Sequence, residues 1–363
     1  MKFKGSSSFK DALSLVTGVV PTRTTFPIYK HVLIHAGEEE RYVMAANGTM
    51  IVRADFEAHV DEPGACTVPA DRFSSLVDML DEFKISANKK LSLTGESTRA
   101  LFQIMPSEEF VEMGQIVGAS TVDLQGFQDA VYRALVAVHS EEGSPLSAVY
   151  ATFDGQVALV GAADGLRASF SLVEAPDTPV DSFLIPQDAA RFLLKLRGGR
   201  DLTLGRGSTG DRLIMRDADT VISTALQAGN FPDIRKVAPA EHSTTLWFGR
   251  EAFRQALRRA LVFAKENENV VLVDTGAGHI IGDIGAAGAR VDLDIEVDGE
   301  PIKFAINGRF VLDALGVMVA DRIRVDTLGP KAPMVFREPD FDETHRHVIM
   351  PMQFKVSGLD FDV

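Results

Sequence analysis

Apolar residues recur along this chain in two rhythms. The first has the helical period. The stretches "FKDALSLV" from Phe9, "FQDAVYRALVAV" from Phe127 and "FRQALRRALVFA" from Phe253 each read Phe-x-x-Ala-[Leu/Val], which puts the apolar residues on one helix face. Their first residues stand 118 and 126 positions apart. A second helical pattern follows each first one: "VPADRFSSLVDML" from Val68, "IPQDAARFLLKLR" from Ile185 and "INGRFVLDALGVM" from Ile306, spaced by 117 and 121. Each begins at a strand-like aliphatic residue, and Pro or Asn then opens an amphipathic helix. The other rhythm is alternation. "YVMAANGTMIVRADF", "VALVGAADGLRASFSLV", "LTLGRGSTGDRLIMRD" and "IRVDTLGPKAPMVF" read as strands joined by Gly, Asn and Asp turns. Two patterns repeating in the same order at one period predict three α+β units of roughly 120 residues.

Composition allows this. The chain has 363 residues, 45% hydrophobic and 24% charged, enough for two or three cores. No window approaches the length of a membrane span. The N-terminal "MKFKGSSSFKDALSLVTGVV" is broken by Lys10 and Asp11 and carries a helical period, so it reads as folded structure rather than a leader. One cysteine, Cys66, fits a reducing cytoplasm. A net charge of -14 opposes nucleic-acid binding unless cations cluster on one face. They do cluster. Arg250, Arg254, Arg258 and Lys265 fall on an arc mostly apart from Phe253, Ala256, Leu257 and Ala260, and the second-repeat helix adds Arg191, Lys195, Arg197 and Arg200. The corresponding first-repeat helix is acidic.

Five stretches, in order, resemble the bacterial DNA polymerase III β-subunit family, the sliding clamps: "RTTFPI" at Arg23, "EPGACTVPADRF" at Glu62, "AADGLRA" at Ala162, "NFPDIRKVAP" at Asn230 and "VIMPM" at Val348. The resemblance implies a DNA-clamp fold, with three similar domains at 1–120, 121–242 and 243–354, each with two helices on antiparallel sheets, and a tail at 355–363. It implies a head-to-tail homodimer that closes a ring around double-stranded DNA without reading sequence. Such a ring has no catalytic residues, metal or cofactor. It tethers the polymerase catalytic subunit, the clamp loader and repair proteins through short peptides, at the nucleoid in the cytoplasm and not at a membrane.

Site residues follow from the same resemblance. One pocket wall would be Val348, Met350, Pro351 and Met352; the facing wall would be Leu146, Ala163, Gly165, Arg167 and Ala168; Pro232, Lys236 and Val237 would lie at the junction. Leu166 stands where the family often has histidine, so a more apolar pocket is expected. Arg23 would join the basic helices on DNA. A tyrosine pair that touches DNA in some members is replaced by Ser144 and Pro145, and that contact is not carried over. Val262 and Phe263 would meet Ala100 and Phe102 of a second copy, near a hairpin shortened around "LTGESTRALFQ". The tail's "GLDFD" resembles the apolar core of clamp-binding peptides, which suggests competition for the pocket beside the plainer reading of a frayed end.

Rival readings are weaker. "GRGSTG" at Gly205 satisfies G-x-G-x-x-G, but a strand follows where a dinucleotide site needs a helix. "THRH" from Thr344, with Asp340 and Asp342, could suggest a metal site, but surface polarity is the expected reading. The remaining alternative is a repeat scaffold that binds proteins and encircles no DNA.

Overall fold

The computed structural model describes residues 1–141, 143–197, 199–283, 287–339 and 344–353. The described residues include six α-helices: α1 Ser7–Thr17, α2 Ala70–Asp78, α3 Leu124–Leu135, α4 Gln187–Leu193, α5 Arg250–Leu261 and α6 Gly308–Val317. They fall two to each sequence repeat. α1 buries Phe9, Ala12, Leu13 and Val16, α3 buries Phe127, Ala130, Val131 and Ala134, and α5 buries Phe253, Ala256, Leu257 and Ala260. All three use the i, i+3, i+4, i+7 spacing that the sequence pattern announces. Full burial of each phenylalanine contributes roughly 1.5–3 kcal/mol. Ser6 caps α1 by accepting from the Phe9 N–H, and Asn307 caps α6 by accepting from the N–H groups of Arg309 and Phe310.

The chain divides into two compact units. The first comprises residues 1–125, 177–179 and 191–226; the second comprises 126–176, 180–190 and 227–363. In the first unit an eight-stranded antiparallel sheet runs in the order Ile116–Asp123, Asp201–Gly207, Arg212–Arg216, Thr220–Ala225, Met50–Asp55, Arg41–Ala46, His31–Ala36, Gly64–Pro69. Its centre is the pairing of Thr224 with Met50, which joins strands from the first and second repeats. A five-stranded sheet ends on Thr98–Phe102, paired on one side only.

The second unit repeats the plan. A nine-stranded sheet joins repeats two and three where Ala168 pairs with Val348. A four-stranded sheet ends on Gly288–Asp292. Its core is continuous from Leu246 and Phe248 through the buried face of α5 to Phe336 and Ile349.

The glycines of "GRGSTG" lie in a hairpin between Asp201–Gly207 and Arg212–Arg216, with Gly210 at φ 80°, as the alternation predicts. Two expectations change. α4 stops at Leu193, so Lys195, Arg197 and Arg200 follow the helix instead of riding on it. The histidines of "THRH" are not surface residues: His345 and His347 are buried, because the strand His345–Ile349 is paired on both edges and covered on both faces. Among the described residues no three His, Cys, Asp or Glu side chains are placed to hold a metal, and Asp340 and Asp342 lie outside the described residues, as does the tail beyond Gln353. No described helix is long and apolar enough to cross a membrane.

Candidate peptide groove and basic faces

A tight hairpin builds one wall of a groove in the second unit. Strands Val157–Ala163 and Arg167–Glu174 turn on Asp164 and Gly165. The Asp164 carboxylate accepts from the N–H groups of Leu166 and Arg167 at 2.9 and 3.0 Å. Gly165 sits at φ 93°, where a side chain would be strained, and nothing lies within 4 Å of where its Cβ would be. The bare turn therefore leaves the groove open.

Three more segments complete it. Strand His345–Ile349 pairs beside Ala168 and presents Val348, and the chain leaves it with the Met350 N–H donating to the Leu166 carbonyl at 2.8 Å. A one-turn helix, Pro145–Ser147, supplies Leu146. A second, Ile234–Val237, is capped by Asp233 and anchored by Ile234, which is 1% exposed. Together they enclose a cavity of about 140 Å³. Leu166, Val237 and Met350 line it and remain 46%, 39% and 37% exposed, so apolar surface stands ready for a guest.

Nine of the twelve expected pocket residues line this cavity: Leu146, Ala163, Gly165, Arg167, Ala168, Pro232, Val237, Val348 and Met350. Lys236 does not; it is exposed and paired with Asp233. Pro351 does not. Met352 turns away, bridging to Ala305 and packing on Val270, Leu272 and Ile281. Leu166 and Ile234 join the lining. Leu166 was legible as an apolar departure. Ile234 was hidden, because nothing in "FPDIRKV" says that its short helix folds down on the sheet.

Arg167 could give the groove a charge, but it is neutralised locally. Its guanidinium bonds Asp164 at 2.9 Å and Asp313 at 2.8 Å and lies over the Phe310 ring. Behind the wall lies a buried polar layer. Glu338 is fully buried, pairs with Arg133, and accepts from the N–H groups of Val319 and Ala320 at 2.5 and 2.8 Å. Burial raises its pKa, but the donors and the Arg133 charge outweigh that and hold the carboxyl below its usual range. Burial pushes His345 down to about 3 and His347 well below its usual range.

The cations are distributed between the units. In the first, Arg23 is exposed ahead of the one-turn helix Pro27–Lys30, and Arg191, Lys195, Arg197 and Arg200 are all exposed in and after the last turn of α4. In the second, Arg258 is exposed on α5 and Lys265 just beyond it. Arg250 donates to the Ala320 carbonyl, and Arg254 pairs with Glu251 at 3.0 Å, so neither is a free cation. Arg259, beside Arg258 in the last turn of α5, is exposed and was not singled out from the sequence.

Of the expected association residues, Val262 is 71% exposed at the end of α5 and Phe263 is half-buried. On the edge strand Thr98–Phe102, Ala100 and Phe102 are half-buried, and the Phe102 ring packs edge-on against Phe73. Arg99 and Leu101 point outward, and Leu101, 60% exposed, is the apolar one. Period-2 alternation could have found it.

Antiparallel sheets in repeats backed by paired helices are the architecture of DNA sliding clamps. The fold matches a crystal structure of the sliding clamp (DNA polymerase III subunit beta) of Pseudomonas aeruginosa bound to griselimycin, with TM-score 0.90 and 20% identity over 98% of this chain and 100% of that one. The β subunit of Streptococcus pyogenes matches at TM-score 0.91 and 17% identity, with the same coverage. The sequence matches the DNA polymerase III beta subunit family through its N-terminal domain over residues 1–113 and its C-terminal domain over 235–353. A beta sliding clamp of Caulobacter vibrioides is 23% identical, covering 94% of this chain and 96% of that protein. The chain belongs to this family, the non-catalytic sliding-clamp processivity subunits of DNA polymerase III.

Proposed function

We propose that two copies of this chain close head to tail into a ring around duplex DNA, and that the second-unit groove takes short peptides of the polymerase and other DNA-processing proteins. The observation that carries the reading is the groove itself: a preformed, mostly apolar cavity of about 140 Å³, room for a side-chain anchor, with exposed apolar rims on a hairpin kept open by Gly165. Three clamp domains at 1–120, 121–242 and 243–354 account for two helices in each repeat. A closed ring would give the exposed edge strands Thr98–Phe102 and Gly288–Asp292 partners, with Leu101 and Val262 as apolar anchors. Arg23, the cations after α4, and Arg258 and Arg259 would meet phosphates without reading bases. A ring held on DNA would place the protein at the nucleoid.

The test is topological. Loaded on nicked circular DNA, the protein stays bound in high salt and slides off once the circle is cut. A scaffold that grips DNA by charge alone leaves both forms equally as salt rises.

A further inference from the structure

The first unit contains a second groove built from the same parts, at the same place in its sheet. Strands Arg41–Ala46 and Met50–Asp55 turn on Asn47 and Gly48 as their second-unit counterparts turn on Asp164 and Gly165. Asn47 Oδ1 accepts from the N–H groups of Thr49 and Met50, matching Asp164, and Gly48 has φ 97° beside 93° for Gly165. The one-turn helix Pro27–Lys30 brings Tyr29 where Pro145–Ser147 brings Leu146. Phe110 folds down on the sheet, as Ile234 does, and the next residue, Val111, stays half-open. The adjoining strand Thr220–Ala225 pairs beside Met50, as His345–Ile349 pairs beside Arg167. The result is a cavity of about 230 Å³ with Tyr29, Ala46, Ile51 and Val111 on its walls. Phe26, 62% exposed and in ring contact with Tyr29, extends the apolar surface.

The two grooves differ in charge. Arg167 is neutralised by Asp164 and Asp313. Arg212, lining the first-unit groove, is held by Ser223 Oγ and by the carbonyls of Ser223 and Thr49, all neutral acceptors. Among the described residues no carboxylate is ion-paired with its guanidinium at 4.0 Å or less; Asp211, next in sequence, acts on it through its charge but accepts from Thr209, and Glu112 is exposed on the lining. A half-buried guanidinium on an apolar wall is completed by a carboxylate that arrives with an apolar neighbour. We propose that the first-unit groove is a second peptide-docking site, for an extended segment with an apolar or aromatic anchor next to an acidic side chain.

The test uses the full chain carrying Met350→Asp, which disables the second-unit groove, so the outcome does not depend on that groove binding peptides. The probe is a fluorescein-labelled octapeptide with a central Leu-Phe pair flanked by Asp on each side, against its counterpart with Lys in place of Asp. The acidic peptide is expected to bind at least about tenfold more tightly, as one charge-assisted contact predicts. Adding Val111→Asp should abolish that binding. Adding Arg212→Gln, which keeps donors for its neighbours, should remove the preference for Asp over Lys while leaving the melting temperature in place. Equal binding of the two peptides, no binding up to about 1 mM, or binding unmoved by both added substitutions overturns the proposal.

Discussion

Single residues in the second unit tie its stability to pH. His345 and His347 take up protons in the unfolded chain near their ordinary value of 6.5, but in the fold His345 does so only near 3 and His347 well below 6.5. Where the unfolded state binds more protons, stability rises with pH. The contribution is therefore complete above about 6.5 and is lost as pH falls through that window. Near its middle each histidine costs up to roughly 1.4 kcal/mol per pH unit. Glu338, with its pKa lowered, adds stability above its ordinary 4.5 that is lost as pH falls further. Denaturant titrations at pH 7.5 and 5.5 should show the loss, and His345→Gln should flatten it. Glu338→Gln breaks the ion pair of the fully buried Glu338 with the mostly buried Arg133 and should cost about 3–5 kcal/mol. Cys66 is buried, and burial pushes its thiol up to about 11, so the native chain should resist alkylation at pH 7.5 and react only when unfolded.

Elements set the binding surfaces. The segment leaving strand His345–Ile349 carries two methionines with different tasks. Met350→Asp puts a charge into the groove wall and should weaken peptide binding by at least about tenfold with little change in melting temperature. Met352→Asp buries the charge among Val270, Leu272 and Ile281 and should lower stability first. Equal effects of the two on peptide affinity would contradict this division. On α5, Arg258 and Arg259 are the open cations, whereas Arg250 and Arg254 are engaged within the protein. Arg258→Glu with Arg259→Glu should reduce the slope of log affinity for DNA against log salt by about two. Peptide binding should be unchanged.

For the whole molecule, closure is the question of consequence, because an acidic chain of net charge -14 gains little from DNA by attraction alone. Linkage supplies retention without tight contact. The prediction at this scale is that the native protein sediments as a dimer at micromolar concentration. Leu101→Asp or Val262→Asp should shift it toward monomer, since both side chains are exposed and are the apolar anchors of the proposed ring. The same substitutions should abolish retention on circular DNA while sparing peptide binding in the groove. A monomeric native protein would remove the ring.

The sequence by itself determined the elements and their repetition. Helix faces follow from i, i+3, i+4, i+7 spacing, and strands from alternation, because both are local consequences of backbone geometry. It also carried, through three short motifs, most of the groove: eight of the nine expected residues that line it lie within "AADGLRA", "NFPDIRKVAP" and "VIMPM". Tertiary structure decided what depends on neighbours distant in the chain. Met350 and Met352 are two residues apart, yet one lines a cavity and the other plugs a second cluster, because the chain turns between two sheets. Arg250 and Arg258 lie on one helix, but only the tertiary fold sets Arg250 donating to the Ala320 carbonyl while Arg258 stays exposed. The histidines of "THRH" look polar and exposed, but their strand lies inside the nine-stranded sheet and both side chains are buried there. Periodicity reports which face of an element is apolar; what that face meets is set by long-range pairing, which no local pattern encodes.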